Sequence, residues 1–367
     1  MRHTIKTAAA GSATLLLAVG LSACGGGSDA STGSSNSGSS SLSGTVSAGG
    51  SSAQEAAMGA WRSAFQSSNP NVTINYEPVG SGGGREQFTS GGYPFAATDS
   101  ALDDTELTAA KKQCGADPIE VPTYISPIAV VYNLSGVDKL NLSAETLGKI
   151  FSGQITKWDD PAIKADNPGV SLPSDAITPV HRSDESGTSQ NFTDYLSQAG
   201  NGSWKAEASS TWPTDIKGGE GAEGTSGVIQ AVTNGAGTIG YADDSQAGQL
   251  SKANIKVGSA WVAPSAEGAS KVLDLSKPMP NRPATDMAVS VDRTTTESGA
   301  YPLLLASYVV ACPTYSDKAT ADIIKGFLSY VVSSNGQQAA AQAAGSAPLS
   351  ADLSKKAGDL VNQISAG

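Results

Sequence analysis

Apolar residues in this chain fall into short extended runs, each followed by small polar residues and then by an apolar stripe at helical spacing. Thr45-Val-Ser-Ala48 is the first run, and Gly49-Gly50-Ser51-Ser52 turns it into a helix. Ser52 and Glu55 have capping-box spacing, and Met58, Trp61, Ala64 and Phe65 form the stripe that Pro70 ends. Val72 to Tyr76 alternates as a strand, and Gly80-Ser81-Gly82-Gly83-Gly84 leads into a helix beginning near Arg85. Tyr93 to Thr98 is a third strand, with Asp99-Ser100 capping a helix through Leu107. Strands alternating with helices predict a parallel α/β sheet.

A longer apolar run, Val121 to Leu134, is interrupted by Pro122 and Pro127, so the chain is expected to leave one domain there and enter the next. Helix and turn signals follow from Ala144 to Phe151 and through Trp158 to Pro161. Lys217 to Gly224 is Gly-rich but lacks the Lys-Ser/Thr ending of a P-loop, and reads as a surface loop. Asn234 to Tyr241 is a turn into a strand. Ala300 to Ala311 mirrors the earlier apolar run and carries the chain back to the first domain, which helices over 319–333 and 337–344 close.

The most chemically loaded stretch is Ile177 to Phe192. It begins extended, passes Arg182 and Asp184, and enters a helix whose apolar side is Phe192, Tyr195 and Leu196. Arg182 offers a planar fork of donors suited to an oxyanion, and Asp184 stands where it can brace the guanidinium. Ser186, Gly187 and Thr188 occupy the first helical turn, where backbone N–H groups are unpaired and the dipole is positive. An exposed Arg beside an ordinary N-cap would read the same way, so this stretch alone does not establish a site. The earlier turns at Ser51/Ser52, Ser81 and Asp99 repeat the pattern of strand, small polar residue and helix start. In open α/β sheets such turns converge on the ligand.

The chain has 367 residues, room for two ordinary domains behind its N-terminal segment. Arg2 and Lys6 precede an apolar run from Ala8 to Leu21 that is too short to span a bilayer and ends in Leu21-Ser22-Ala23-Cys24. This is the layout of a secretory signal over residues 1–23. Residues 24–43 are mostly Gly, Ser, Ala, Thr and Asn, a tether reaching about 25 Å. The formal charge of −11 becomes −13 once Arg2 and Lys6 leave with the signal, which argues against nucleic acid. With Cys24 set aside as the residue that follows the signal, Cys114 and Cys312 remain. In an oxidising compartment they are expected to pair, with two buried free thiols as the alternative. His181 is the one histidine after the signal, and no Cys/His spacing matches a metal site.

Together these segments resemble the phosphate-binding lipoproteins of the PstS family, which deliver phosphate to an ABC importer. The likeness rests on His181-Arg-Ser-Asp-Glu-Ser-Gly-Thr-Ser189, Gly80-Ser-Gly-Gly-Gly84, Ala97-Thr-Asp99, Phe151-Ser-Gly-Gln-Ile-Thr-Lys-Trp158 with Asp159-Asp-Pro161, and Gly237-Thr-Ile-Gly-Tyr241. It extends over nearly all of residues 45–345. Leu-Ser-Ala-Cys24 likewise resembles a lipobox, implying cleavage before Cys24 and lipid attachment to it.

The resemblance implies an α/β, two-lobed periplasmic-binding-protein fold of the type 2, Venus-flytrap kind, with a mixed sheet in each lobe and two hinge crossings. Lobe I would be residues 44–124 with 301–367, and lobe II residues 125–300. Phosphate would be held by Arg182, Ser186, Gly187 and Thr188 from one side, and by Ser51, Ser52, Ser81 and Asp99 from the other, with Asp184 bracing the arginine. The implied partners are inorganic phosphate, the permease subunits of an importer and, through the Cys24 lipid, the extracytoplasmic face of the cell membrane. The family's first turn often has Thr-Phe where this chain has Ser51-Ser52, which leaves open which of the two gives the hydroxyl contact.

A carboxylate in an anion site has a use here. Phosphate near neutral pH keeps a proton from which Asp99 can accept a hydrogen bond, whereas sulfate keeps none and is repelled. A site built around a substrate O–H can reject an analogue lacking it by about 10⁴–10⁵. An enzyme is not expected. A serine hydrolase would have to pair Ser186 or Ser189 with His181, and no Gly-x-Ser-x-Gly elbow encloses either serine. A sugar site would want stacking aromatics, and aromatic residues are only 6% of the chain.

Overall fold

The computed structural model describes residues 42–367. The signal segment 1–23, the lipidation residue Cys24 and the tether through residue 41 lie outside the described residues.

The architecture is a nine-stranded mixed sheet covered by helices. Its strands are β1 (Gly44–Gly50), β2 (Val72–Glu77), β3 (Phe95–Thr98), β4 (Ile119–Asn133), β5 (Thr178–Arg182), β6 (Glu220–Ala222), β7 (Thr238–Asp243), β8 (Ser251–Lys252) and β9 (Leu304–Ala311). Across the sheet they run β2-β1-β3-β9-β4-β7-β5-β6, with β8 pairing on β4. The helices are α1 (Glu55–Ser68), α2 (Ser81–Ser90), α3 (Asp104–Cys114), α4 (Ala144–Phe151), α5 (Pro161–Asp166), α6 (Gly187–Ala199), α7 (Gly224–Asn234), α8 (Ala266–Leu275), α9 (Lys318–Val332), α10 (Ser334–Ala344) and α11 (Ala351–Val361).

Strand β4 belongs to both lobes. Residues 119–127 pair antiparallel with β9, and residues 128–133 pair antiparallel with β7. On the first side β1 is parallel to β2 and β3, and on the second β5 is parallel to β6 and β7. The expectation of a parallel sheet therefore holds for the strands joined by helical crossovers and fails at β4 and β9. Separate cores flank the shared strand. One gathers Met58, Trp61, Phe95, Phe327 and Leu328, and the other gathers Leu147, Trp158, Phe192, Tyr241 and Ile255. Residues of α8 pack with Ile125, Leu304 and Ala347 in a third cluster beside the crossing.

Pro122 and Pro127 do not break β4, contrary to the sequence expectation. The misfit appears as a register shift: Ser307 faces Tyr124 while Tyr308 faces Pro122, so Thr123 is the extra residue of a bulge. Other boundaries also move. Helix α2 starts at Ser81 rather than near Arg85, because its glycines pack onto β1. A Cβ on Gly84 would come within 2.5 Å of the Gly50 Cα. Ser52 and Glu55 do not form a capping box: α1 begins at Glu55 with Gln54 at the N-cap, and Ser51 Oγ accepts from the N–H groups of Ala53 and Gln54. The capping box lies at Asp103 and Glu106, so α3 begins four residues after Ser100 and Asp99 caps nothing. Part of the expected Gly-rich surface loop is strand β6 and the start of α7. Cys114 and Cys312 are joined in a disulfide, which ties the end of α3 to the residue after β9.

Candidate functional site

The starts of α1, α2, α6 and α7 face one another across the cleft between the lobes. Each brings N–H groups without intrahelical acceptors and a positive dipole end.

From the second lobe, β5 ends at the buried Arg182. Its Nε donates to Asp184 Oδ1 at 2.7 Å and its Nη2 to Oδ2, a bidentate pair. Nη1 has no acceptor among the described residues. Asp184 also accepts from Gly224 N–H at 3.0 Å. Burial alone would raise the Asp184 carboxyl, but its bonds to Arg182 and Gly224 and the Arg182 charge bring it below its ordinary value. The brace is therefore ionised at neutral pH. Arg182 N–H donates to Tyr241 Oη at 3.2 Å, and that hydroxyl lies 2.6 Å from Ser189 Oγ. Burial pushes Tyr241 up to about 12, so it remains a neutral phenol pinning the end of β5 to the first turn of α6.

Ser186 is the N-cap of α6, its Oγ accepting from Ser189 N–H at 3.2 Å. Its own N–H is taken by Ser210 O. The N–H groups of Gly187 and Thr188 have no acceptor among the described residues.

From the first lobe come Ser51, Ser52, Ser81 and Asp99, all buried. Asp99 Oδ1 accepts from Ser51 Oγ at 2.6 Å, Ser307 Oγ at 2.8 Å and, more distantly, Gln54 Nε2 at 3.4 Å. Oδ2 has only long contacts, with Ser81 Oγ at 3.4 Å and Thr188 Oγ1 at 3.5 Å. One oxygen is thus saturated, and the other faces the donors of the opposite lobe. Ser51 Oγ is committed to Asp99 and its own turn, while Ser52 Oγ is 3.0 Å from Thr225 Oγ1 and accepts from Thr225 N–H at 3.1 Å. Ser52 N–H has no acceptor among the described residues.

All eight residues expected around an anion, together with Asp184, surround this one cleft. Sequence reasoning missed Gln54, Asn191, Thr225, Tyr241 and Ser307. Asn191 donates to Asp99 O at 2.6 Å and accepts from Arg293. His181 lies at the edge, stacked on Trp212 with ring centroids 4.5 Å apart. Its Nδ1 contacts Arg182 O, and among the described residues it makes no hydrogen bond to Ser186 or Ser189. Burial lowers its pKa. No group of three or more metal-ligating side chains occurs among the described residues.

Comparison with known proteins gives a consistent family. The model of the PBP superfamily domain matches residues 35–335. The phosphate-binding protein PstS2 of Mycobacterium bovis BCG is 37% identical, the match covering 98% of this chain and 100% of that one. The phosphate-binding protein PstS of Xylella fastidiosa is 33% identical over 76% of each. Among solved structures, the fold is similar to that of PfluDING, a high-affinity periplasmic phosphate-binding protein bound with phosphate. The TM-score is 0.71 at 22% identity, covering 85% of this chain and 92% of that one. A phosphate-binding protein from Stenotrophomonas maltophilia matches with a TM-score of 0.67 at 20% identity, over 86% and 94% of the two chains. The chain belongs to the PstS family of phosphate-binding proteins, within the PBP superfamily.

Proposed function

We propose that this protein is an extracytoplasmic substrate-binding lipoprotein that captures inorganic phosphate between its lobes and passes it to the permease subunits of an ABC importer. The observation that carries this reading is the set of uncommitted donors facing one uncommitted carboxylate oxygen. Arg182 Nη1 and the N–H groups of Ser52, Gly187 and Thr188 all lack acceptors among the described residues, and Asp99 Oδ2 has only long contacts. Donors in that number suit a tetrahedral oxyanion, and an acceptor among them suits one that still carries a proton. Ser81, Ser186 and Thr188 add hydroxyls around the same space, Ser51 Oγ fixes the Asp99 carboxylate, and Asp184 holds Arg182 in place. The acidic surface does not oppose this, because short-range donors in a desolvated cleft act where long-range fields are screened beyond about 10 Å.

The lobes, residues 44–124 with 301–367 and residues 125–300, close about the two crossings at β4 and before β9. Residues 1–23 act as the signal, Cys24 carries the lipid, and residues 24–43 tether the body to the extracytoplasmic face of the cell membrane. The protein binds rather than reacts, in keeping with the family.

Calorimetric titration of the dialysed protein with phosphate, sulfate and arsenate tests the reading. Tight phosphate binding with sulfate far weaker is expected. Sulfate binding as tight as phosphate, or binding of neither, would overturn it.

A further inference from the structure

We propose that the Ser52 side chain is a closure residue: it completes the N-terminus of α7 from the opposite lobe and so holds the cleft shut without touching the anion. This rests on the phosphate-capture reading above.

Helix α7 is not capped by its own chain. Glu223 stands at the N-cap in extended conformation and makes no side-chain bond to the helix. The first N–H, of Gly224, goes to Asp184 within the second lobe. The next, of Thr225, goes to Ser52 Oγ at 3.1 Å, and the two hydroxyls lie 3.0 Å apart. Ser52 and Thr225 are both buried, so neither bond is shared with bulk water. The same turn is gripped again by Gln246, whose Nε2 donates to Ser52 O at 2.8 Å and Ala53 O at 3.3 Å. Ser52 thus spends its hydroxyl and its carbonyl on the second lobe, while its N–H stays available to the cleft. Separating the lobes leaves Thr225 N–H without its cap. The helix end pays for opening, and the ligand need not supply that bond.

A clasp of this kind acts on release more than on encounter, because it forms only once the lobes have met. In stopped-flow measurements on the full chain with inorganic phosphate, Ser52→Ala is expected to speed release by about five- to tenfold, a loss worth one net hydrogen bond. Association should stay within about twofold. Thr225→Val, which removes the second hydroxyl, is expected to speed release by a smaller factor, and the double variant should approach Ser52→Ala, since the two residues form one pair. Thr225→Val keeps the Thr225 N–H that Ser52 Oγ caps, so a double variant that releases phosphate faster than Ser52→Ala by the full Thr225→Val factor would mean that the two hydroxyls act separately, and would overturn the clasp. Unchanged release in both variants of a protein that binds phosphate would overturn the clasp alone. Failure of the unsubstituted protein to bind phosphate would overturn the functional reading and the clasp together.

Discussion

Arg182 is buried, the Arg282 side chain is only 6% exposed, and both are paired with carboxylates, yet they do different things. Arg282 Nε reaches Asp286 at 2.7 Å, Nη1 reaches Leu102 O at 2.7 Å and Nη2 reaches Glu120 at 2.8 Å. Every nitrogen of that guanidinium is committed to the protein. Arg182 has two nitrogens on one carboxylate and a third with no acceptor among the described residues. Arg85 and Arg293 follow Arg282, each with all three nitrogens engaged. Burial and charge pairing therefore do not separate the site arginine from the structural ones. The uncommitted donor does.

The largest effect expected from breaking this contrast is on stability. Arg282→Leu leaves Glu120 and Asp286 buried without their cation, which costs on the order of 3–5 kcal/mol. The loss should fall toward the lower end, because burial and the neighbouring Asp286 already push Glu120 up to about 8, so it can neutralise itself by taking a proton. Urea unfolding measures this loss, and calorimetry should show phosphate affinity nearly intact. A comparable loss of affinity would place Arg282 in the site after all.

Arg182→Ala should do the reverse. Charge-assisted hydrogen bonds contribute about 1.5–3 kcal/mol, so phosphate affinity should fall at least about ten- to a hundredfold. The melting temperature should move less than in Arg282→Leu. Sulfate binding should not improve, because the lost donor would have served either anion.

Asp99→Asn sharpens the comparison from the acceptor side. The amide fills the space and its oxygen can still accept a hydrogen bond from the phosphate O–H, but the repulsion expected to reject sulfate would be gone. The phosphate-to-sulfate affinity ratio should narrow by at least about tenfold, and by more than in Arg182→Ala. An unchanged ratio in titrations at neutral pH would remove Asp99 from selectivity.

The smallest effect expected is a slope with pH. Burial raises Asp243 to about 7, and burial with Asp286 raises Glu120 to about 8. Between the ordinary carboxylate range and those values the folded protein holds protons that the unfolded chain has released, so stability should fall as pH rises through that window. Asp184, which is lowered, acts oppositely, and its contribution is lost only as pH drops below the ordinary aspartate value. Melting temperatures should be higher near pH 5.5 than near pH 8.5, and Asp243→Asn should flatten the part below about 7. A rising curve would contradict this.

The donor half of the site was legible because one stretch writes it out. Arg182, its brace, the Ser186 cap and the apolar side of α6 lie within a few turns of chain, and local chemistry fixes their relation. Asp99 was legible as a residue but misread as a cap, since Asp103 offers a complete capping box and nothing nearby shows that Ser307 turns the carboxylate into the cleft. Gln54, Asn191, Thr225 and Ser307 reach the site from separate elements, and only the packing of the lobes defines their partners. In the fold, the strand–helix alternation was readable from periodicity. The continuity of β4 through two prolines was not, because a bulge opposite Ser307 and Tyr308 absorbs the misfit from the partner strand.

The seam between the lobes also has a consequence for size. At the rim, Gly82 N–H donates to Glu185 O at 3.0 Å, so the lobes meet there main chain to main chain. A Cβ on Gly82 would fall 2.2–2.5 Å from three carbons of the Glu185 side chain. A rim closed by backbone cannot rotate aside as a side chain would. An ester of phosphate carries an organic tail that needs a way out of the cleft, whereas the bare ion needs none. While that main-chain contact is formed, this rim has no room for an organic tail, so a phosphate monoester is expected to bind more weakly than the free ion when the two are titrated side by side.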